Sequence, residues 1–428
     1  MIPLDVDEIV ALRLGRLDGA ADGGTVARVT ADSRDAARGD LFVALNAGAD
    51  YVEDARARGA ATLVPDDQDA ALAALAALAS LVRSKSDAQV VAVVGSAGKT
   101  TTKDILGALC APHVPTVWAE RSLNNEVGLP LTVLRLEPGT RILVTEMGMR
   151  GIGQIAALCA VAKPHMTVVP HIGPEHLELL GSVERVAEAN AEAIAALPRD
   201  GTAVVPADSA ELEPYLTRED VHVRRFDPDD VESRNGATTR FRVDGEHVEL
   251  ELPFTQRHLA VNTLAALHAY AALGLPLDRA HEGVASIRFS PWRGEETPLP
   301  GGGFVVNDAY NANPSSLRAA LEHLAERAGP RRRFAILGEM AELGETAPGY
   351  HRDLGARARE LGIEVIGVGE AARAYEPAAW AATPAEAVAI ARERIGPGDA
   401  VLVKASRAVG LEGIADEITN FARAWSPS

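Results

Sequence analysis

The run Val91-Ala-Val-Val-Gly-Ser-Ala-Gly-Lys-Thr-Thr-Thr-Lys103 constrains the fold more than any other stretch of the chain. Val91 to Val94 are apolar and mostly β-branched, the make-up of a buried strand. Gly95 to Gly98 read as a tight turn, and the residues from Lys99 onward have the apolar spacing of a helix opening. A strand, a glycine turn and a helix N-terminus in succession aim free backbone N–H groups and the helix dipole at one point, which suits a phosphate. Lys99 is then placed to reach the outer phosphates, and the Thr100 hydroxyl to hold Mg²⁺. The strict phosphate-loop pattern has a glycine where Val93 stands, so this is the shortened form Gly-x-x-Gly-Lys-Thr. An ordinary strand-to-helix turn is the competing interpretation, and Lys-Thr-Thr after Gly98 weighs against it. The chain is expected to bind a nucleoside triphosphate through Gly95, Ser96, Ala97, Gly98, Lys99, Thr100 and Thr101.

With 428 residues the chain has room for two to four domains, on a prior of ~150 residues each. A formal charge of −18 argues against nucleic acid or an anionic membrane as partner. Cys110 and Cys159 lie in apolar, helix-like runs without metal-ligand spacing and read as reduced core residues of a cytoplasmic protein. Met1 to Glu8 carry neither a basic nor an apolar leader segment, and no apolar run approaches the ~20 residues of a membrane span.

Along the chain, Thr30-Ala-Asp-Ser-Arg34 leads into the apolar strand that ends at Leu45. A short helix over Glu53 to Gly59 and a strand over Ala60 to Pro65 follow. Ala70 to Leu81 is expected to be an amphipathic helix packed on the first domain, and Ser84 to Ala88 a linker. Arg141 to Arg150 contains an apolar strand ending in Glu146, the place where an α/β sheet offers a Mg²⁺ ligand beside a phosphate loop. A helix over Gly153 to Val161 and a strand over Met166 to Val169 come next. His176 follows that second strand end and is the best metal-ligand candidate among the eleven histidines. Phe241 to Leu252 alternates around Asp-Gly as a hairpin, and His258 to Gly274 reads as a helix. Beyond Glu296, strands near 303–307, 334–338, 363–368 and 400–407 alternate with helices, which predicts a parallel, doubly wound sheet. The glycines there form no dinucleotide fingerprint, so a nicotinamide cofactor is not expected.

These motifs together resemble the Mur ligases over nearly the whole length and in the family's order. The resemblance rests on Asp32-Ser-Arg34 with Gly39-Asp-Leu-Phe42, the Gly95 to Thr102 loop, and Asn124-Asn-Glu-Val-Gly-Leu-Pro130. It continues in Thr145-Glu-Met-Gly148, Ile172 to Glu178, His258-Leu with Asn262, and Arg293. It closes in Asn307-Asp-Ala-Tyr-Asn-Ala-Asn-Pro314, Leu337 to Gly344 with His351, and Lys404-Ala-Ser-Arg407. Asp-x-Tyr-Asn-Ala-Asn-Pro points to the MurF-type branch, which adds D-alanyl-D-alanine to a UDP-N-acetylmuramoyl tripeptide.

The resemblance implies a three-domain α/β architecture. A UDP-substrate domain would span residues 1–86, a central P-loop ATPase domain 87–295, and a C-terminal Rossmann-like domain 296–428. It implies a cytoplasmic, monomeric enzyme of peptidoglycan synthesis that uses ATP and Mg²⁺. ATP would phosphorylate the peptide carboxylate, and the amine of D-Ala-D-Ala would attack the acyl phosphate. Thr100, Glu146 and His176 would hold metal, with Lys99, Asn125, His176 and Arg293 as catalytic residues. Asn262 would sit near the adenine, Asp308 near the ribose, and Arg293 also on the nucleotide. Ser33, Arg34, Asn311, Asn313, Lys404 and Arg407 would contact the other substrates.

Three positions depart from the family pattern. Asn190 stands where the family has a carbamylated lysine that bridges metals, so Glu188 or Glu192 would have to substitute, or the second metal is weakened. The segment Asn46 to Asp54 is short and lacks the family's Asp-Gly-His run, and His171 replaces an asparagine. Two alternatives therefore stay open: an amide ligase for a different carboxylate and amine, and a homologue that binds nucleotide without ligating.

Overall fold

The computed structural model describes residues 1–19 and 24–425. Strands β1 (Arg16–Asp18), β2 (Arg28–Thr30), β3 (Asp40–Val43) and β4 (Ala61–Val64) form a sheet of order β1-β4-β3-β2. β3 runs parallel to both β2 and β4, and β1 runs antiparallel to β4. Helix α1 (Val52–Ala57) buries Val52 and Ala55 against Phe42, Ala44 and Ala60. Helix α2 (Gln68–Ser84) starts where the Asp67 carboxylate accepts the Ala70 N–H at 2.8 Å, satisfying a donor that the first turn leaves free.

The central sheet carries the phosphate loop. Its elements are β5 (Gln89–Val93), α3 (Lys99–Cys110), β6 (Thr116–Trp118), α4 (Gly128–Val133), β7 (Ile142–Glu146), α5 (Gln154–Ala162), β8 (Met166–Val168), α6 (Val183–Ala195), β9 (Gly201–Pro206) and β10 (Val221–Phe226). All six strands are parallel, in the order β10-β9-β8-β5-β7-β6. β5 is central and covered on both faces, which is why Val90 to Val93 form an unbroken, fully buried apolar run. Edge strand β10 instead mixes His222, Arg224 and Arg225 with apolar residues, and sequence periodicity passed over it and the opposite edge strand β6, as it did the interior strand β9. Half-exposed edges carry no clear apolar signature.

One expectation is corrected here. α2 packs mainly against α4 and α5 of the central domain rather than on the first domain. Its apolar stripe of Ala71, Ala74, Leu75, Leu78, Ala79 and Val82 fixes which face is buried but says nothing of what covers it. Arg83 adds to that seating, donating from Nε to the Ala162 carbonyl at 2.8 Å.

β11 (Val231–Asn235), β12 (Thr238–Val243) and β13 (Glu246–Glu251) form an antiparallel sheet. Asp244 (φ 52°) and Gly245 (φ 84°) make the two-residue hairpin turn, and both left-handed dihedrals match the Asp-Gly signal. Helix α7 (Arg257–Ala272) follows.

The C-terminal sheet has the order β14-β15-β19-β16-β17-β18. Its strands are β14 (Glu295–Leu299), β15 (Gly303–Asn307), β16 (Arg333–Leu337), β17 (Ile363–Val368), β18 (Ala379–Ala381) and β19 (Ala400–Lys404). Five strands are parallel, with α8 (Pro314–Ala328), α9 (Ala347–Glu360) and α10 (Pro384–Arg394) as crossovers and α11 (Ile414–Ala422) after the last. β14 is an antiparallel edge strand that the expected all-parallel sheet lacked. Pro298 within it is tolerated because an edge strand needs only half its ladder bonds.

The architecture is the expected three-domain α/β arrangement, with a P-loop sheet in the middle and a Rossmann-like sheet at the C-terminus. By packing, residues 1–170, 188–255 and 259–288 form one compact unit, and residues 171–187, 256–258 and those from 289 onward form another. Among the described residues no helix is long and apolar enough to cross a membrane.

Candidate active site

In the first unit the chain turns at the C-terminal end of β5. Gly98 takes φ 81° as the N-cap of α3, a conformation that costs a side-chain-bearing residue about 1–2 kcal/mol. A Cβ there would also come within 2.6 Å of Asn262 Oδ1. Lys99 is the first residue of α3, and its ammonium donates to the Gly95 carbonyl. Asn262 lies against the loop, its Nδ2 donating to Thr101 Oγ1 at 2.7 Å. Asn190 Oδ1 accepts the Gly95 N–H at 2.5 Å.

Glu146 ends β7, the strand beside β5, and sits opposite Val93 in the register. Its side chain is buried at 1% exposure. Oε1 accepts from Asn124 Nδ2 at 2.7 Å, while Oε2 is buried with no hydrogen-bond partner. Buried carboxylate oxygens are rarely left so. The Thr100 hydroxyl lies 3.3 Å from that of Ser122. The loop that delivers Ser122 and Asn124 is tied down by Lys103, whose fully buried ammonium donates to the Ala119 carbonyl at 2.7 Å, the Arg121 carbonyl at 2.9 Å and Asp104 at 2.5 Å. Asn125 is exposed, and its Oδ1 accepts the Gly128 N–H at 2.9 Å at the start of α4.

Ser33 and Arg34 belong to the first domain. Ser33 is buried, and Arg34 projects into solvent paired with Asp32 at 2.5 Å. Hydrogen bonds from the Arg34 guanidinium and backbone hold the Asp32 carboxyl down at about 2. Cys110 and Cys159 are free and buried, as expected, and burial pushes both thiols up to about 12.

The second unit gathers the remaining candidates. His176 sits at φ 52° before the short helix Leu177–Leu180, its Nδ1 bonded to Glu342 and its Nε2 3.6 Å from Glu175. The other candidates cluster where β15 and β19 end, the edge at which open α/β sheets bind ligands. Lys404 is buried, donating to Asp308 Oδ2 at 2.5 Å and the Asn311 carbonyl at 2.8 Å. Asn313 caps α8 by accepting the Ser316 N–H at 2.9 Å, and Asn311 Oδ1 accepts the Ala312 N–H. Arg293 stacks 4.1 Å from the Tyr310 ring centroid, and Arg407 lies 4.6 Å from that of Trp292 while pairing with Glu412 at 2.5 Å.

Sequence reading missed the parts played by Lys103, Asn124 and Glu342. Asn124 and Glu342 fall inside motifs, and Lys103 stands in the second turn of a helix buried nearly all round, where a lysine must have carbonyl or carboxylate partners.

Residues 93–270 match the Mur ligase middle domain, and residues 292–407 match the Mur ligase glutamate ligase domain. The UDP-N-acetylmuramoyl-tripeptide–D-alanyl-D-alanine ligase of Escherichia coli K12 is 32% identical over 407 residues, 88% of each chain. The enzyme of that name from Mycobacterium tuberculosis H37Rv is 34% identical over 77% of this chain and 72% of its own. Among solved structures, MurF from Acinetobacter baumannii superposes with a TM-score of 0.85 at 26% identity, covering 98% and 99% of the two chains. MurF ligase from Thermotoga maritima in complex with ADP gives 0.82 at 28% identity, covering 93% and 98%.

Proposed function

The chain belongs to the Mur ligase family, and we propose that it is the ATP-dependent, ADP-forming ligase that joins D-alanyl-D-alanine to UDP-N-acetylmuramoyl-tripeptide. This places it in peptidoglycan precursor synthesis and, through the wall, in cell shape and division. The observation that carries the reading is Glu146, buried beside the phosphate loop with one oxygen engaged by Asn124 and the other without a partner. A site of that kind suits a nucleotide-bound divalent cation.

The donor set fits Mg²⁺. Within the first unit one buried carboxylate oxygen and the Thr100 hydroxyl are hard ligands, and Mg²⁺ ordinarily keeps waters and phosphate oxygens in its remaining positions; the family resemblance adds His176 as a third ligand. The described residues contain no cluster of three or more His, Cys, Asp or Glu that would hold a cation without the nucleotide. When bound, Mg²⁺ would neutralise charge on the transferring phosphoryl group.

The chain's own residues account for the rest. Gly95, its own N–H held by Asn190, turns the chain so that backbone N–H groups from Ser96 to Thr101 cradle the phosphates, and Lys99 leaves the Gly95 carbonyl to meet the outer ones. A carboxylate oxygen of the tripeptide attacks the γ-phosphorus, and ADP departs. The dipeptide amine then attacks the acyl carbon, phosphate leaves, an amide forms and the amine gives up a proton. Both steps gather negative charge, which Lys99 and Arg293 stabilise electrostatically. Asn125 orients the acyl and phosphoryl groups. Asn262 serves the adenine side and Asp308 the ribose. Ser33 and Arg34 receive the UDP-sugar, and Asn311, Asn313, Lys404 and Arg407 the acceptor side. The domains are bounded near residues 86 and 295, and the enzyme works as a cytoplasmic monomer.

Phosphate release from Mg-ATP tests this. Turnover should require both UDP-muramoyl tripeptide and D-Ala-D-Ala and yield a pentapeptide product by mass. ATP binding without stimulation by either substrate would sink the assignment.

A further inference from the structure

His176 and Glu342 both adopt left-handed backbone, with φ of 52° and 62°, and their side chains meet. Neither residue is glycine, so each position carries a conformational cost. The meeting is reinforced beside it. The Glu178 N–H donates to the Glu342 carbonyl at 3.0 Å, and a Cβ on Gly344 would stand 3.1 Å from the Glu178 Cα. Residues 176–178 and 342–344 are thus fastened by one backbone and one side-chain bond. Two adjacent costs persist only where the surroundings over-determine them.

The side-chain bond selects a chemical state. Glu342 touches Nδ1, so a neutral imidazole there carries its proton on Nδ1 and has its lone pair on Nε2. Nε2 faces the buried Glu175 carboxylate at 3.6 Å. A carboxylate behind a ligating histidine fixes its tautomer and ring orientation and raises its basicity.

We propose that Glu342 is a positioning residue for metal binding: it holds His176 in the Nδ1-protonated tautomer with Nε2 presented to the cation. The proposal rests on the reading of His176 as a metal ligand given above. It also assigns a task to the Leu337–Gly344 motif. The loop after β16 sets the metal affinity of a histidine more than 160 positions earlier, 166 by the chain.

The test uses the full chain with Mn²⁺ and a non-hydrolysable ATP analogue, read by electron spin-echo envelope modulation and by Mn²⁺ titration. Wild type should show ¹⁴N modulation from one imidazole, and His176→Ala should abolish it. Glu342→Leu, which removes the acceptor, should weaken Mn²⁺ binding about tenfold or more and diminish the ¹⁴N signal. Glu342→Gln keeps a carbonyl acceptor for Nδ1–H and should lie between the two. Thermal unfolding and metal-free nucleotide affinity of the three variants are measured alongside, since a purely structural role would move those instead. Glu342→Leu with unchanged modulation and Mn²⁺ affinity overturns the proposal while His176 remains a ligand. Absence of ¹⁴N modulation in wild type overturns the ligand reading itself, and the proposal with it.

Discussion

Asn190 Oδ1 accepts the backbone N–H of Gly95 at 2.5 Å, so a side chain ninety-five positions along the chain closes the first turn of the phosphate loop. Asn190 is 1% exposed. The family resemblance put a charged, metal-bridging group at this position. Here a neutral amide spends its carbonyl oxygen on the loop. Glu192, a possible substitute, accepts the N–H groups of Gly153 and Ala156 instead, the latter at 2.8 Å. That is a carboxylate at the start of α5, where the helix dipole favours negative charge.

Asn190→Ala should therefore impair nucleotide binding rather than a remote property. It leaves the Gly95 N–H buried without its acceptor, a loss of about 1–3 kcal/mol. Calorimetric titration with Mg-ATP should show weaker binding, accompanied by a lower unfolding temperature. Unchanged affinity would mean that the bond does not shape the loop.

Lys103→Met should be among the most damaging substitutions outside the nucleotide contacts. Removing the ammonium strands Asp104 and two carbonyls in a buried site, which costs about 3–5 kcal/mol when one partner of a buried pair is lost. Denaturant unfolding reads that loss. Adding Asp104→Asn should recover part of the stability by removing the leftover charge. Turnover should stay low in the double variant, because the loop bearing Ser122 and Asn124 is still untethered. Recovery of turnover along with stability would show Lys103 to be structural only.

Stability should fall on the acid side of neutrality, and His351 should contribute to the fall. Its Nδ1 meets the Ala347 carbonyl at 2.6 Å, and its Nε2 accepts the Met340 N–H at 3.1 Å. Protonating Nε2 would expel that N–H, and burial already disfavours the charged ring, so the folded imidazole titrates below its ordinary value. The unfolded chain then binds the proton first. Stability from this group is complete above about pH 6.5 and declines as pH falls toward the lowered folded value. His165 and His268, also lowered by burial, act in the same direction. Chemical denaturation at pH 7.5 and 5.5 should show the decline, and His351→Gln should make it shallower. An equal slope in that variant would remove His351 from the account.

Much of the fold was legible in the sequence where local chemistry dictates backbone. Gly98 must turn left-handed before a helix, Asp244-Gly245 must make a two-residue hairpin, and Val90 to Val93 suit only a strand covered on both faces. Glu146 was legible as well, since a polar residue ending an apolar strand marks the sheet edge. Edge strands β6, β10 and β14 were not, because half-exposed strands have mixed composition.

The candidate site divides along the same line. Lys99, Thr100 and Glu146 are fixed by their position in a strand, turn or strand end, and the sequence alone determined them. What Glu146, Asn190, Lys103 and His176 are bonded to was decided only by tertiary structure. Their partners Asn124, Gly95, the carbonyls of Ala119 and Arg121, and Glu342 lie 22, 95, 16, 18 and 166 positions away. A side chain's local sequence sets its dihedrals and its face. A buried donor or acceptor takes whichever complementary atom the packed chain brings within about 3 Å, and that choice exists only once the sheets have assembled.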